Sequence, residues 1–173
     1  MVQLKDISSD EYSDYYQTYL SLIDPQTSID NVLQESLEGT LSLLKELEKP
    51  LSYSYAANKW SIGQVLQHDI DTERVFAYRA LRFIRKDATP LPGFDQDVFV
   101  ANSKDLAFAK AELKKSIITT RQATIELFSN VTMDSLIFKG NASGQVMTAR
   151  VIPFLIAGHN LHHENVIRER YLT

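Results

Sequence analysis

The chain has 173 residues, 44% of them hydrophobic and 23% charged. That is enough for one domain over residues 1–173 with a buried core, and too apolar for a disordered chain. A net charge of −4 offers no positive surface for nucleic acid, and no apolar run is long enough to cross a bilayer. There is no cysteine, which excludes disulfides, thiolate metal ligands and a cysteine nucleophile; with an acidic N-terminal stretch that lacks the apolar core of a secretory signal, the cytoplasm is the expected location.

Helical periodicity runs through the whole chain. Residues 9–23 are expected to form a short first helix, with Tyr12, Tyr15, Tyr16, Tyr19 and Ile23 as an inward stripe. Asp24-Pro25 ends it, because the residue before proline disfavours the α conformation. A second helix starts near Ser28 or Asp30 and buries Ile29, Leu33, Leu37, Thr40, Leu44 and Leu47 before Lys49-Pro50. The third has the clearest start. Ser61 can cap the first turn, Gln64 can reach back to the Ser61 N–H, and Trp60 and Val65 stand where a hydrophobic staple forms.

The third helix runs to about residue 85. Residues 87–102 contain Pro90, Pro92 and Gly93 and read as a loop. At about 16 residues it is long for a compact domain, which marks it as a candidate cover for a substrate. A fourth helix is expected over residues 103–128, with Leu106, Ala109, Leu113, Ile117, Thr120, Thr124 and Leu127 inward. Leu136-Ile137-Phe138, the turn Gly140-Asn141-Ala142-Ser143-Gly144 and Val146-Met147 form a possible small β-hairpin. The last helix covers residues 148–171, with Pro153 near its first turn. The fold class is all-α: a four-helix bundle with a short extra N-terminal helix.

The chemistry lies in four histidines: His68, His159, His162 and His163. At ~100° per residue, His159 sits mid-face on the apolar stripe of the last helix, between Ile152 and Val166. His163, one turn later, also faces inward. His162 lies on the other shoulder, and periodicity prefers His163 by a small margin. Two histidines four apart on one helix can hold one metal ion. On the third helix His68 shares a side with Val65, Thr72, Val75 and Arg79, so it points into the bundle as well. A lone inward histidine is ordinarily a hydrogen-bonded core residue, but here nearly all the chain's histidine lies on two inward faces. Three imidazoles leave a coordination position open, the pattern of a catalytic metal site.

The carboxylates are less distinctive. Asp71, three residues after His68, is a candidate partner to orient an imidazole or a candidate fourth ligand, as His162 is a candidate neighbour of the site. Asp71 and Glu73 are otherwise expected in solvent or paired with Arg74 and Arg79, and Glu164 is expected to point away into solvent. Asp95 and Asp97 lack the glycine and distal glutamate of a calcium loop.

The run KWSIGQVLQHDIDTERVFAYRALRFIRKDATPLPGFDQD, followed by IAGHNLHHENVIRERYL, resembles the DinB/YfiT-like superfamily of metal-binding four-helix bundles. The order agrees too: one histidine after a Trp-Ser cap, then a histidine pair in the final helix. The resemblance implies up-down-down-up connectivity, a homodimer, and one divalent ion, zinc or nickel, on His68, His159 and His163, with His162 as a neighbour. It also implies a small-molecule substrate. The activities it points to are metal-dependent transfer of a low-molecular-weight thiol to an electrophile, metal-dependent hydrolysis, or a non-catalytic stress-response role. Three neutral ligands leave the cation its full charge, which favours a thiolate; with no cysteine in the chain, that thiol has to be a cosubstrate.

Overall fold

A computed structural model describes residues 2–103 and 109–172. Four long helices carry the structure: α2 (Ile29–Glu46), α3 (Ile62–Ile84), α5 (Lys110–Phe128) and α7 (Ile152–Tyr171). Three short ones join them: α1 (Gln17–Leu20), α4 (Gln96–Asn102) and α6 (Met133–Leu136). Strands β1 (Lys139–Ala142) and β2 (Gln145–Thr148) form an antiparallel hairpin before α7. Among the described residues no helix is long and apolar enough to cross a membrane.

Three contacts at one end of the bundle set the helix directions. The Lys110 Nζ at the start of α5 donates to the Leu47 carbonyl at the end of α2 (3.0 Å). Arg168, late in α7, pairs with Glu46, the last residue of α2. The Tyr171 hydroxyl, at the end of α7, donates to the Trp60 carbonyl just before α3 (2.8 Å). So α2 and α7 finish where α3 and α5 begin, which is the up-down-down-up arrangement. Each helix packs on two neighbours, α2 and α3 both lying between α5 and α7. Parallel α3 and α5 require a long return, and residues 85–109 supply it.

The helix starts follow local chemistry. Ser61 Oγ accepts the Gln64 N–H (3.2 Å) while Gln64 Oε1 accepts the Ser61 N–H (2.8 Å), the expected capping box. On α2, all six expected inward residues are buried. On α5, Leu113, Ile117 and Thr124 are buried as the periodicity predicts, Thr120 and Leu127 are half-buried, and Ala109 is exposed at the N-cap. Leu106 lies outside the described residues. α7 is buried all round its first half, from Val151 to Asn160, because α2, α3 and α1 all pack on it.

The structure departs from expectation in three segments. The N-terminal stretch is not one helix over residues 9–23. It is a series of 3₁₀ turns followed by α1, with Tyr12 and Ser13 extended. Tertiary anchors override the periodicity: Glu11 is buried and accepts from Thr148 Oγ1 (2.8 Å) and Arg150 Nε (2.7 Å), and Tyr16 packs edge-on against Phe76. Within the Pro-rich stretch, Asp95 caps α4 by accepting the Asp97 and Val98 N–H groups. Leu91 bonds to the hairpin through Asn141 and Ser143. The hairpin itself turns at Ser143-Gly144, both at positive φ (55° and 75°), a two-residue turn whose twist matches the strands. Its first strand therefore begins at Lys139, and Leu136 ends α6 instead.

Candidate functional site

His68, on the second turn of α3, meets His159 and His163, one turn apart on α7. All three face the shared α3–α7 interface. The His68 and His159 Nε2 atoms are 3.1 Å apart. Ring centroids lie 4.9 Å apart for His68–His159, 5.0 Å for His68–His163 and 4.6 Å for His159–His163. His68 and His159 are buried and His163 is half-buried. Trp60 stands against His68 at 5.1 Å, and Tyr19 against His159 at 5.3 Å.

The carboxylate of this cluster is Asp69, which the sequence reading missed. It is 5% exposed, and its Oδ1 lies 3.2 Å from His159 Nδ1 and 4.0 Å from His163 Nε2. Asp69 Oδ1 is nevertheless buried without a hydrogen-bond partner. One donor atom from each of His68, Asp69, His159 and His163 falls within 4.8 Å of the others. The signal in the sequence was slight: Asp69 follows His68 directly and shares a helix face with Val65 and Glu73.

The other candidates lie elsewhere. Asp71 does not reach the histidines. It accepts from Gln67 Nε2 (2.9 Å) and pairs with Arg74 (3.3 Å), one face round from His68. His162 stacks edge-on against Tyr19 (5.6 Å) and His163 (5.0 Å), at the flank of the cluster. Glu73 is neither solvated nor paired with Arg79. It is buried and bidentate to Arg121 of α5 (2.9 and 3.1 Å). Arg121 also donates to the Leu33 carbonyl (2.7 Å) and to Asn160 Oδ1 (2.6 Å). Glu164 is likewise buried rather than solvated, and accepts from Thr40 Oγ1 (2.7 Å).

Burial sets the electrostatics. It pushes His68 down to about 3, with His159 adding to the effect. It does the same to His159, helped by His162, and to His163, where Asp69 opposes the shift. Burial also raises Asp69 to about 7, against the pull of His163, Asn160 and Arg121. The imidazoles are thus neutral at pH 7 and free to donate lone pairs.

This donor set fits a divalent cation. Tetrahedral bonds of about 2.0–2.1 Å have an edge of ~3.3 Å, close to the 3.1 Å between the two Nε2 atoms. A cation would also compensate the unpartnered Asp69 oxygen. Two cavities border the cluster. One of about 460 Å³ includes His159, Tyr19, Thr72, Arg79 and Phe94 in its wall. The other, about 340 Å³, includes His162, His163, Trp60 and Tyr171. Phe94 and Gln96 of the Pro-rich stretch thus border the histidine site.

The sequence profile of the DinB superfamily matches residues 33–167, most of the chain. The chain belongs to the DinB superfamily. Among solved structures, this DinB protein is similar to YfiT from Bacillus subtilis, with a TM-score of 0.66 at 14% identity over 96% of this chain and 91% of that one. YfiT is described as a probable metal-dependent hydrolase with an unusual four-helix bundle topology; at this identity the likeness shows the shared fold. No curated protein matches the chain.

Proposed function

We propose that this protein is a divalent-metal-dependent enzyme that transfers a low-molecular-weight thiol to an electrophilic small molecule. His68, His159 and His163 are the ligands in this reading, and zinc or nickel suits an all-imidazole set. The observation that carries it is that the histidine cluster borders two separate cavities, His159 in the wall of one and His163 in the wall of the other. A two-substrate transfer needs two binding volumes at one centre, and hydrolysis needs only one.

When bound, the cation supplies Lewis-acid activation of the attacking group. The protein does the rest. Asp69 lies 3.2 Å from His159 Nδ1, placed to orient that ring once His159 Nδ1–H turns toward it, with Nε2 facing His68. Trp60 and Tyr19, packed on His68 and His159, limit water at the site. In the transfer, the thiol proton leaves to solvent, a carbon–sulfur bond forms, and the leaving group departs with the electron pair of the bond that breaks.

A second reading is hydrolysis, with water in place of the thiol. The description of YfiT favours it. A homodimer accompanies either reading, and the 70% exposure of Tyr15 supports it; light scattering showing a monomer at all concentrations removes it.

The test is elemental analysis of untagged protein, followed by a panel of small thiols with a model electrophile. One equivalent of metal, lost in His159→Ala/His163→Ala, is expected, with thiol-dependent rates that vanish in His68→Ala. Loss of metal in His162→Ala but not His163→Ala would reassign the third ligand. Metal-dependent ester or amide cleavage without thiol acceleration would establish the hydrolase.

A further inference from the structure

Arg79 has no role in the cluster just described, yet its placement is costly. It lies 11 residues after His68 on α3 and is 2% exposed. Its Nη2 donates to Ser143 Oγ (2.8 Å), its guanidinium also hydrogen-bonds the Tyr16 side chain and lies over Phe76 at 5.0 Å, and its Nε is buried without a partner. Among the described residues no ion pair involves Arg79. A buried cation lacking a counter-charge is expensive in a folded protein. Arg79 also lines the 460 Å³ cavity, and among the described lining residues it carries the one formal charge. The rest of that wall is largely aromatic: Tyr16, Tyr19, Phe76 and Phe94.

The geometry points to Arg79 as the anchor for a substrate carboxylate, so that the cavity takes an elongated, partly apolar small molecule with an anionic group at one end and its reacting atom at His159. Thr72 and Arg79 both line this space and stand seven residues apart on one helix, ~10 Å along its axis. That length sets the scale of the ligand. A guanidinium with no counter-charge and an unpartnered Nε suits a planar carboxylate, and the aromatic rings suit an apolar body. This assignment rests on the proposed metal-dependent enzyme for the reacting end, but the anion site itself needs no metal.

Benzoate and its uncharged isostere benzamide are the probes, titrated by calorimetry into full-length protein, metal-loaded and chelator-stripped. Benzoate is expected to bind at least about tenfold tighter than benzamide in both forms, the scale of one charge-assisted contact. Arg79→Gln should erase that preference and Arg79→Lys should keep part of it. Ser143→Asp changes only an exposed turn residue at positive φ, where aspartate is tolerated. It sets a carboxylate on the guanidinium and should abolish benzoate binding even if Arg79→Gln fails to fold.

Adding 2-mercaptoethanol and 3-mercaptopropionate separates the sources of the carboxylate. If the thiol carries it, 3-mercaptopropionate competes with benzoate far better than 2-mercaptoethanol does. If the electrophile carries it, 2-mercaptoethanol and benzoate bind together. Equal affinity for benzoate and benzamide, undiminished benzoate binding in Ser143→Asp, or selectivity that disappears on stripping the metal overturns the assignment. Arg79-dependent selectivity in a protein that takes up no metal would leave the anion site standing and remove the metal reading.

Discussion

Gly158→Ala is the substitution that most directly couples the N-terminal segment to the histidines. Gly158 precedes His159 on α7, and a Cβ there would lie 2.4 Å from the Tyr19 carbonyl oxygen and 2.8 Å from its carbon. Ordinary contact begins at 3.4 Å, so the Tyr19 backbone has to move by about 1 Å, and backbone gives way less readily than a side-chain tip. Overpacking of this kind costs about 1–3 kcal/mol, while replacing a helical glycine with alanine returns up to ~1 kcal/mol. With rigid backbone as the obstacle the cost falls at the upper end of that range, so a net loss of about 2 kcal/mol follows, or a Tm lower by roughly 4–8 °C for a chain of this size. Tyr19 packs on both His159 and His162, so metal affinity should fall as well. Thermal and urea unfolding measure the first effect, and competition with a chromogenic chelator the second. Gly144→Ala is the control: its Cβ meets nothing within 4 Å and only its φ of +75° is strained, so metal affinity should hold. A Gly158→Ala protein as stable as the parent would refute the close approach of α1 to α7.

Glu73→Gln leaves Arg121 buried without its counter-charge and should cost about 3–5 kcal/mol in urea unfolding; an unchanged midpoint would exclude the buried pair. Asp69→Asn keeps the shape but removes the charge beside His159, so metal should bind about 10–100-fold more weakly in a chelator competition, and an unchanged affinity would deny Asp69 a part in the site. Glu11 is held below its usual value because Arg150, the Ser8 N–H and Thr148 outweigh the opposing effect of burial. A lowered folded value means that its stabilisation is present above the unfolded value of 4.5 and is lost as pH falls through the folded one. The stability gap between the parent and Glu11→Gln should therefore shrink on acidification below pH 4.5, and a gap constant with pH would rule out a charged Glu11 as the tether.

The parts of the fold legible in the sequence were those fixed by local rules. The capping box at Ser61 and Gln64 and the inward stripe of α2 need only neighbours three or four residues away, and both stand where the spacing puts them. The same periodicity turned His68, His159 and His163 toward one interface. It failed for residues 9–23 because Glu11 and Tyr16 answer to partners on the hairpin, α3 and the 3₁₀ turn before α7, and a run of tyrosines at helical spacing carries no record of that. The hairpin slipped for a smaller reason. Its turn is set by two positive-φ residues, Ser143 and Gly144, whereas Gly140 is a packing glycine, where a Cβ would fall 1.9 Å from the Phe83 ring.

Charged residues were the hardest to place, because a carboxylate on a helix is ordinarily solvated. Helical spacing singled out Asp71, one turn from His68, and left Asp69 unnoticed. Yet what matters is which carboxylate faces α7 rather than which lies beside the histidine on its own helix. Asp69 shares its side of α3 with Glu73, one turn on, and both are buried. Glu73 binds Arg121, Arg121 binds Asn160, and Asn160, next to His159, in turn favours the charged form of Asp69. That chain spans three helices and ends at Asp69, 3.2 Å from the His159 imidazole. A substitution at Arg121, on a helix that contributes no histidine, is therefore expected to reach the site through Asn160. The readout is metal affinity in Arg121→Met/Glu73→Leu, a pair change that removes both buried charges while keeping the volume filled. Weaker metal binding in a protein that still unfolds cooperatively would show that the network positions Asp69; unchanged affinity would confine Arg121 and Glu73 to holding the bundle together.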